Sequence, residues 1–276
     1  MKKFLLAVTA ITMLQTVNAQ KETKYAKIYY KDVKAGNSDI EIIVDNAVST
    51  DAETKFKLKI VNKTKDFLLY KPEESKFLID GKEVKPTEKM KVIEPFSDNF
   101  VTVNIKGSYN TIKSYSYLID GLYKVPASEK GIPTPDYMLP VNKNEFKTGD
   151  YVVKLDKLSK ESDGTTLKLE VLYTGEKLGI IYPERTGVLM PDGKEYATLK
   201  PSGLLAKSGP VLLQKGEKET VTFKWDRMEG GRAMDMQKVD MLVKFNEMFT
   251  EGVPEKLNSE TIKLEFDETT SNAKGK

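Results

Sequence analysis

The chain of 276 residues has no cysteine and no histidine, a single tryptophan (Trp225) and only three arginines. The absence of Cys excludes disulfides, thiolate nucleophiles and the lipid-modified cysteine of a lipoprotein, so any fold must stand on its own core. The absence of His removes the Ser-His-Asp and Cys-His mechanisms and the commonest zinc ligand. Glycine-rich phosphate loops, HExxH and CxxC are also missing. The one Ser-x-x-Lys spacing, Ser271 to Lys274, falls in a polar C-terminal stretch with nothing to hold it rigid. Acidic side chains in expected loops, such as Asp51, Glu53, Glu161 and Asp163, do not follow the D-x-D-x-D-G spacing of a calcium loop. No cofactor and no metal site is therefore expected. After residue 19 no apolar run approaches membrane length.

What is present begins with MKKFLLAVTAITMLQTVNAQ: a basic start at Lys2 and Lys3, an apolar run from Phe4 to Leu14, and Val17-Asn18-Ala19 before Gln20. That is the pattern of a cleaved secretory signal peptide over residues 1–19, which predicts a periplasmic or extracellular protein without a transmembrane anchor. The net charge is +3, or +1 once Lys2 and Lys3 are gone. Such a balance supplies no long-range field for nucleic acid.

The body of the chain carries an internal repeat. Residues 40–48 match 151–159 and residues 56–62 match 167–173 at an offset of 111. Leu68-Leu69-Tyr70 over Ile180-Ile181-Tyr182, and Asp80-Gly81-Lys82-Glu83 over Asp192-Gly193-Lys194-Glu195, match at 112. Val101-Thr102-Val103 over Val221-Thr222-Phe223 matches at 120. Phe56, Leu58 and Ile60 keep the parity of Leu167, Leu169 and Val171, the period of two that places side chains on one face of a strand. Asp-Gly is the sequence of a two-residue hairpin turn, which requires positive φ, so its recurrence is expected to be structural.

Seven or eight short strands per repeat predict an all-β fold of two antiparallel sandwiches, related by duplication, with residues 20–147 as one domain and 148–267 as the next. Residues 268–276 are expected to be a disordered tail. The Pro-rich stretch Lys124 to Pro140 is expected to be a loop, and Asn142 to Tyr151 to close one domain and open the other. The strand pattern resembles the tandem immunoglobulin-like domains of exported bacterial proteins, without the Cys…Trp…Cys hallmark. Trp225 is expected in the core.

Two clusters stand out as candidate binding residues. Tyr115 and Tyr117 share a strand face and would form an aromatic patch if exposed. All three arginines fall in the second repeat. Arg185 lies between the third and fourth strands of that repeat; Arg227 and Arg232 flank Gly230 and Gly231 between the sixth and seventh. A planar guanidinium suits carboxylate or phosphate, and the glycines would let backbone approach a ligand. The expected function is non-catalytic: an exported envelope protein that binds a protein or glycan or serves as a scaffold. The alternatives are a hydrolase working with carboxylates alone and a mechanical spacer.

Overall fold

The computed structural model describes residues 25–128, 130–141, 143–199, 209–227 and 235–275, so the expected signal peptide lies outside the described residues. The first part of the chain forms β1 (Ile28–Tyr29), β2 (Val33–Gly36), β3 (Ile40–Ser49), β4 (Glu53–Asn62), β5 (Phe67–Tyr70), β6 (Lys76–Ile79), β7 (Lys82–Val84), β8 (Lys91–Ile93), β9 (Asp98–Lys106), β10 (Ser114–Ile119) and β11 (Leu122–Val125). There follow β12 (Tyr137–Leu139), β13 (Glu145–Thr148), β14 (Tyr151–Lys160), β15 (Gly164–Tyr173), β16 (Leu178–Ile181), β17 (Thr186–Leu189), β18 (Glu195–Ala197), β19 (Val211–Leu213), β20 (Lys218–Asp226), β21 (Met241–Phe245) and β22 (Phe249–Gly252). The chain ends with β23 (Glu255–Lys256), β24 (Glu260–Glu265) and α1 (Glu268–Lys274).

All pairings are antiparallel, and they fall into two sets of the same order. β3-β4-β9 with β2 beside β3 matches β14-β15-β20 with β13 beside β14. β10-β6-β7 matches β21-β17-β18, and β11-β5 matches β22-β16. Alternation drives the long strands: Phe56, Leu58 and Ile60 are buried on β4 while the intervening lysines face out, and Leu167, Leu169 and Val171 are buried on β15.

The repeat register differs from the expected one by a residue. Tight 3-10 turns follow at Pro72–Glu74 and Pro183–Arg185, and the cross-strand pairs Phe77–Tyr117 and Val188–Val243 match, so the offset stays at 111 through β6 and β17. The extra residue sits in the hairpin itself. Ile79 pairs Lys82 across Asp80-Gly81, both at positive φ, a two-residue turn. Met190 and Lys194 close the three-residue loop Pro191-Asp192-Gly193, with only Gly193 at positive φ. The stretch 82–93 holds two strands in different sheets, β7 and β8.

The expected boundary at 147/148 does not describe how strands are shared. β24 pairs with β10 over its full length, Ser114 facing Glu265 and Ile119 facing Glu260. Ile262 and Leu264 are buried in the first core. In return β12, inside the Pro-rich stretch expected to be a loop, pairs with β21, and Tyr137 and Leu139 are buried in the second core. β13 forms a hairpin with β14 and so opens the second set; it does not close the first. Each half thus receives its outer strand from the other. The two crossing segments meet midway: Ala127 bridges Gly252, and β23 pairs with β11.

The expected tail is also ordered. Asp267 caps α1 by accepting from the Thr270 amide, and Ser271 is buried with its Oγ accepting from the Tyr29 amide. The Gly275 carbonyl accepts from the amides of Ala26 and Lys27. The polar sequence concealed the helix because its anchoring contacts come from residues about 240 positions away.

Candidate functional site

The two tyrosines singled out for a surface patch are core residues. Tyr117 is fully buried and its hydroxyl meets that of Tyr70 at 2.6 Å; burial pushes the Tyr70 phenol up to about 12 and Tyr117 well above the ordinary value. Tyr115 is 4% exposed and packs edge-on against Tyr30 at 4.8 Å. Their outward-looking alternation hid the fact that β10 is flanked on both sides, by β6 and by β24. The aromatics that do reach solvent are Phe96 and Phe100, 73% and 57% exposed, with the Lys57 ammonium 4.4 Å from the Phe100 ring centroid. No motif marked them; Phe96 sits in a tight turn at φ 51°.

Of the arginine cluster, Arg185 and Arg227 fall within the described residues, and Gly230, Gly231 and Arg232 lie outside them. Arg185 is exposed in the 3-10 turn before β17. Its guanidinium stacks 3.9 Å from the Tyr182 ring centroid and donates to the Glu247 carbonyl at 3.3 Å. Arg227 follows β20, exposed, with its amide donating to the Asp163 carbonyl at 2.7 Å. The two arginines therefore rest on different loops with different partners.

The junction between halves holds the most developed arrangement of side chains. Phe67, Leu69, Val125, Ile180 and Tyr182 form a small core of their own between the two larger ones. Gly252 allows the crossing: a Cβ there would lie 2.7 Å from Val125 Cγ1 and 2.8 Å from the Pro126 carbonyl oxygen. On the first half's side, Lys256 pairs with Asp120 at 3.1 Å and Glu74 at 3.4 Å, and the Tyr123 hydroxyl donates to Glu74 at 2.6 Å. The bond from Tyr123 holds the Glu74 carboxyl below its ordinary value. On the other side the Tyr151 hydroxyl donates to the Thr250 carbonyl at 2.5 Å, and Tyr173 and Lys177 both reach Glu251.

Beside this junction core opens a cleft of about 650 Å³. One wall comes from the first half, with Phe67 of β5, Val92 of β8 and Glu94. The other comes from β19, preceded by Gly209-Pro210, and from the start of β20 at residues 217–219. Glu94 faces across it: a Cβ on Gly209 would lie 3.9 Å from Glu94 Oε2. Glu217 accepts from the Gln214 amide, and Lys218 pairs with Glu170 at 2.9 Å. No local pattern marks this cleft, because its walls come from β5 and β8 of one half and β19 and β20 of the other.

Among the described residues no group of three metal-ligating side chains converges, and no helix is long and apolar enough to cross a membrane. Where carboxyl groups are perturbed, the direction is downward: Glu53, Glu74, Asp192, Glu265 and Asp267 are all held below their ordinary values by hydrogen bonds.

No family model matches the chain, and no curated protein matches it. Among solved structures it is similar to AerE from Microcystis aeruginosa, at 11% identity and a TM-score of 0.12, over 89% of this chain and 100% of that one. It is also similar to a GH31 alpha-xylosidase from Xanthomonas citri, at 10% identity and a TM-score of 0.14, over 86% of this chain but only 32% of the enzyme. Neither likeness is close enough to bear on function.

Proposed function

We propose that the chain is an exported, non-catalytic binding or scaffold protein of the bacterial envelope, with a protein or glycan as its ligand. Its two halves would be immunoglobulin-like units derived from one duplicated repeat whose outer strands have been exchanged, and the junction cleft would be the recognition site. The observation that carries this reading is the coupling of the cleft to the exchange. Its walls belong to different halves, yet Gly252 packed on Val125 and Pro126, the Ala127–Gly252 bridge and Lys256 paired with Asp120 and Glu74 fix those halves against each other. A preorganised concave site loses little freedom on binding.

Export is tested by mass spectrometry of the mature protein, which should begin at Gln20; a mature species retaining Met1 overturns it. Recognition is tested by Leu212→Arg, which places a cation in the cleft. The variant should still melt cooperatively, at a lower temperature because Leu212 packs on the junction core, and lose binding to isolated cell envelopes at temperatures well below its melt. Equal binding by both proteins overturns the cleft as the site.

A further inference from the structure

The second half lacks, among the described residues, a strand that the first half has. In the first half β1 lies along the outer edge of β3, Ile28 facing Ser49 and Tyr29 facing Val48, and the Tyr30 amide donates to the Ala47 carbonyl. β14 is the counterpart of β3. β13 covers its outer edge only as far as Lys154, with one more bond from the Leu155 amide to the Asn144 carbonyl. From Asp156 to Lys160 no described residue pairs with that edge. The side chains register the difference: Val44 and Ala47 are 0% and 1% exposed, whereas Leu155 and Leu158, 111 residues on, are half-exposed. Both strands carry a bulge here, and the bulge does not bar a neighbour, since β3 has one and still takes β1.

The same end of the second sheet holds a row of hydrogen-bond donors. Lys160, Thr165 and Trp225 face one another across β14, β15 and β20, on strands about 5 Å apart. Thr165 and Trp225 are 2% and 1% exposed, and neither the Thr165 hydroxyl nor the Trp225 indole N–H has a partner among the described residues. The Lys160 ammonium is half-buried and donates to the Val239 carbonyl, and burial lowers its pKa despite the Asp240 carboxylate nearby. An ammonium, a hydroxyl and an indole N–H can all donate to a carboxylate. The row lies at the opposite end of β20 from the cleft, so it is a second site. An inward-turned lysine at an edge keeps apolar strands away, because they would bury its charge unpaired; a strand that brings a carboxylate escapes that penalty.

We propose that the second half binds, along the outer edge of β14, an extended segment of a partner protein that sets a carboxylate side chain opposite Lys160 and an apolar one opposite Leu158. The first half supplies the pattern: β1 and the residue after it turn Ile28 and Tyr30 inward, two positions apart. At the place of Ile28 the carboxylate would extend the row of donors. At the place of Tyr30 the apolar side chain would cover Leu155 and Leu158, which a free carboxylate would leave bare.

The test uses the full chain and three labelled, capped peptides of alternating Thr and Val. One has Glu in place of a central Val, one has Gln there, and one has Glu there with an N-methyl group on the amide of the next Val. Fluorescence anisotropy should show saturable binding of the Glu peptide, with the other two each about tenfold weaker. The emission of Trp225, the chain's single tryptophan, should shift over the same titration. Lys160→Met should reduce the preference for Glu over Gln to about one, a comparison within one protein that a general loss of stability does not produce. The Glu-to-Gln comparison on the unaltered chain stands whether or not that variant folds. Absence of binding by the Glu peptide overturns the proposal, as do equal binding of the Gln peptide, an unmoved Trp225 emission, or a preference that survives Lys160→Met. Equal binding of the N-methyl peptide would make the row a site for a carboxylate alone and overturn the added strand.

Discussion

The two halves place a threonine at corresponding positions with opposite hydrogen-bonding fates, and substituting each gives a direct test of the fold's energetics. Thr54 begins β4, and its Oγ1 lies 2.5 Å from the Ser49 hydroxyl, which meets the Tyr30 hydroxyl at 2.8 Å. Tyr30 in turn donates to the Ile112 carbonyl at 2.6 Å. Thr165, 111 residues on, occupies the same place on β15, paired across the sheet with Trp225 as Thr54 is with Ile105. It is 2% exposed, and among the described residues its Oγ1 has no partner; nor has Trp225 Nε1. The cause lies in what surrounds each. β1 brings Tyr30 to the first site, whereas β14 has no counterpart of β1 beside it among the described residues, and Ser49 is replaced by Lys160, whose ammonium turns away to the Val239 carbonyl. Thr→Val replaces the hydroxyl by a methyl of nearly the same volume. At Thr54 it breaks a buried chain and leaves Ser49 half satisfied, a loss of about 1–2 kcal/mol. At Thr165 it removes a hydroxyl that is desolvated and unbonded, a gain of about 1 kcal/mol. For a protein of this size each kcal/mol moves the melting temperature by roughly 2–4 °C. Thermal and urea unfolding of the two variants should therefore shift in opposite directions from the wild type. Shifts of the same sign and size would show that the Thr165 hydroxyl is bonded after all and refute the reasoning.

Three further outcomes follow. Glu53 lies between Lys55 at 2.7 Å and Lys106 at 2.5 Å, and its carboxyl is lowered from 4.5 to about 2, chiefly by the bond from Lys106. Because the folded value lies below the unfolded one, its contribution is whole above about pH 4.5 and is lost as pH falls toward 2; Glu53→Gln should flatten the stability profile in that window and nowhere else. Gly252→Ala should destabilise by about 1–3 kcal/mol through contact with Val125 and the Pro126 carbonyl, and Val125→Ala in the same chain should recover part of the loss, a coupling that additive melting shifts would disprove. A chain ending at Gly252 lacks Ile262 and Leu264, so limited proteolysis should cut residues 25–125 quickly while sparing 137–249; equal resistance in both regions would contradict the assignment of those side chains to the first core.

Much of this architecture was legible in the sequence. Period-two alternation placed β3, β4, β14, β15 and β20 to within a few residues, because a strand buried on one face writes its contacts into its own composition. Asp80-Gly81 located a hairpin through the backbone conformation it permits. What escaped were features decided by distant partners. Tyr115 and Tyr117 alternate like a half-exposed strand, and only β24 makes their surroundings a core. Tyr137 and Leu139 lay among prolines that argued for a loop, yet a three-residue strand fits between them. The cleft had no local signature because Val92 and Leu212 become neighbours only through the crossing. Arg185 and Arg227 lie on the two separate loops expected of them, because strand boundaries set by alternation also set where the loops begin.

The exchange of outer strands has a consequence for how the chain comes to be folded. β10 waits for a partner more than 140 residues further along, so the first half of the chain to be made is the last to be finished. A chain emerging N-terminus first would hold a row of unsatisfied amides and carbonyls on β10, and the hydrophobic slot for Ile262 and Leu264, open until β24 had appeared. Long-range pairing of this kind slows folding and leaves a sticky edge exposed meanwhile. The segment after β24 adds a second tie, since the Gly275 carbonyl after α1 accepts from the Ala26 and Lys27 amides and so fastens the start of β1 to the same distant stretch of chain.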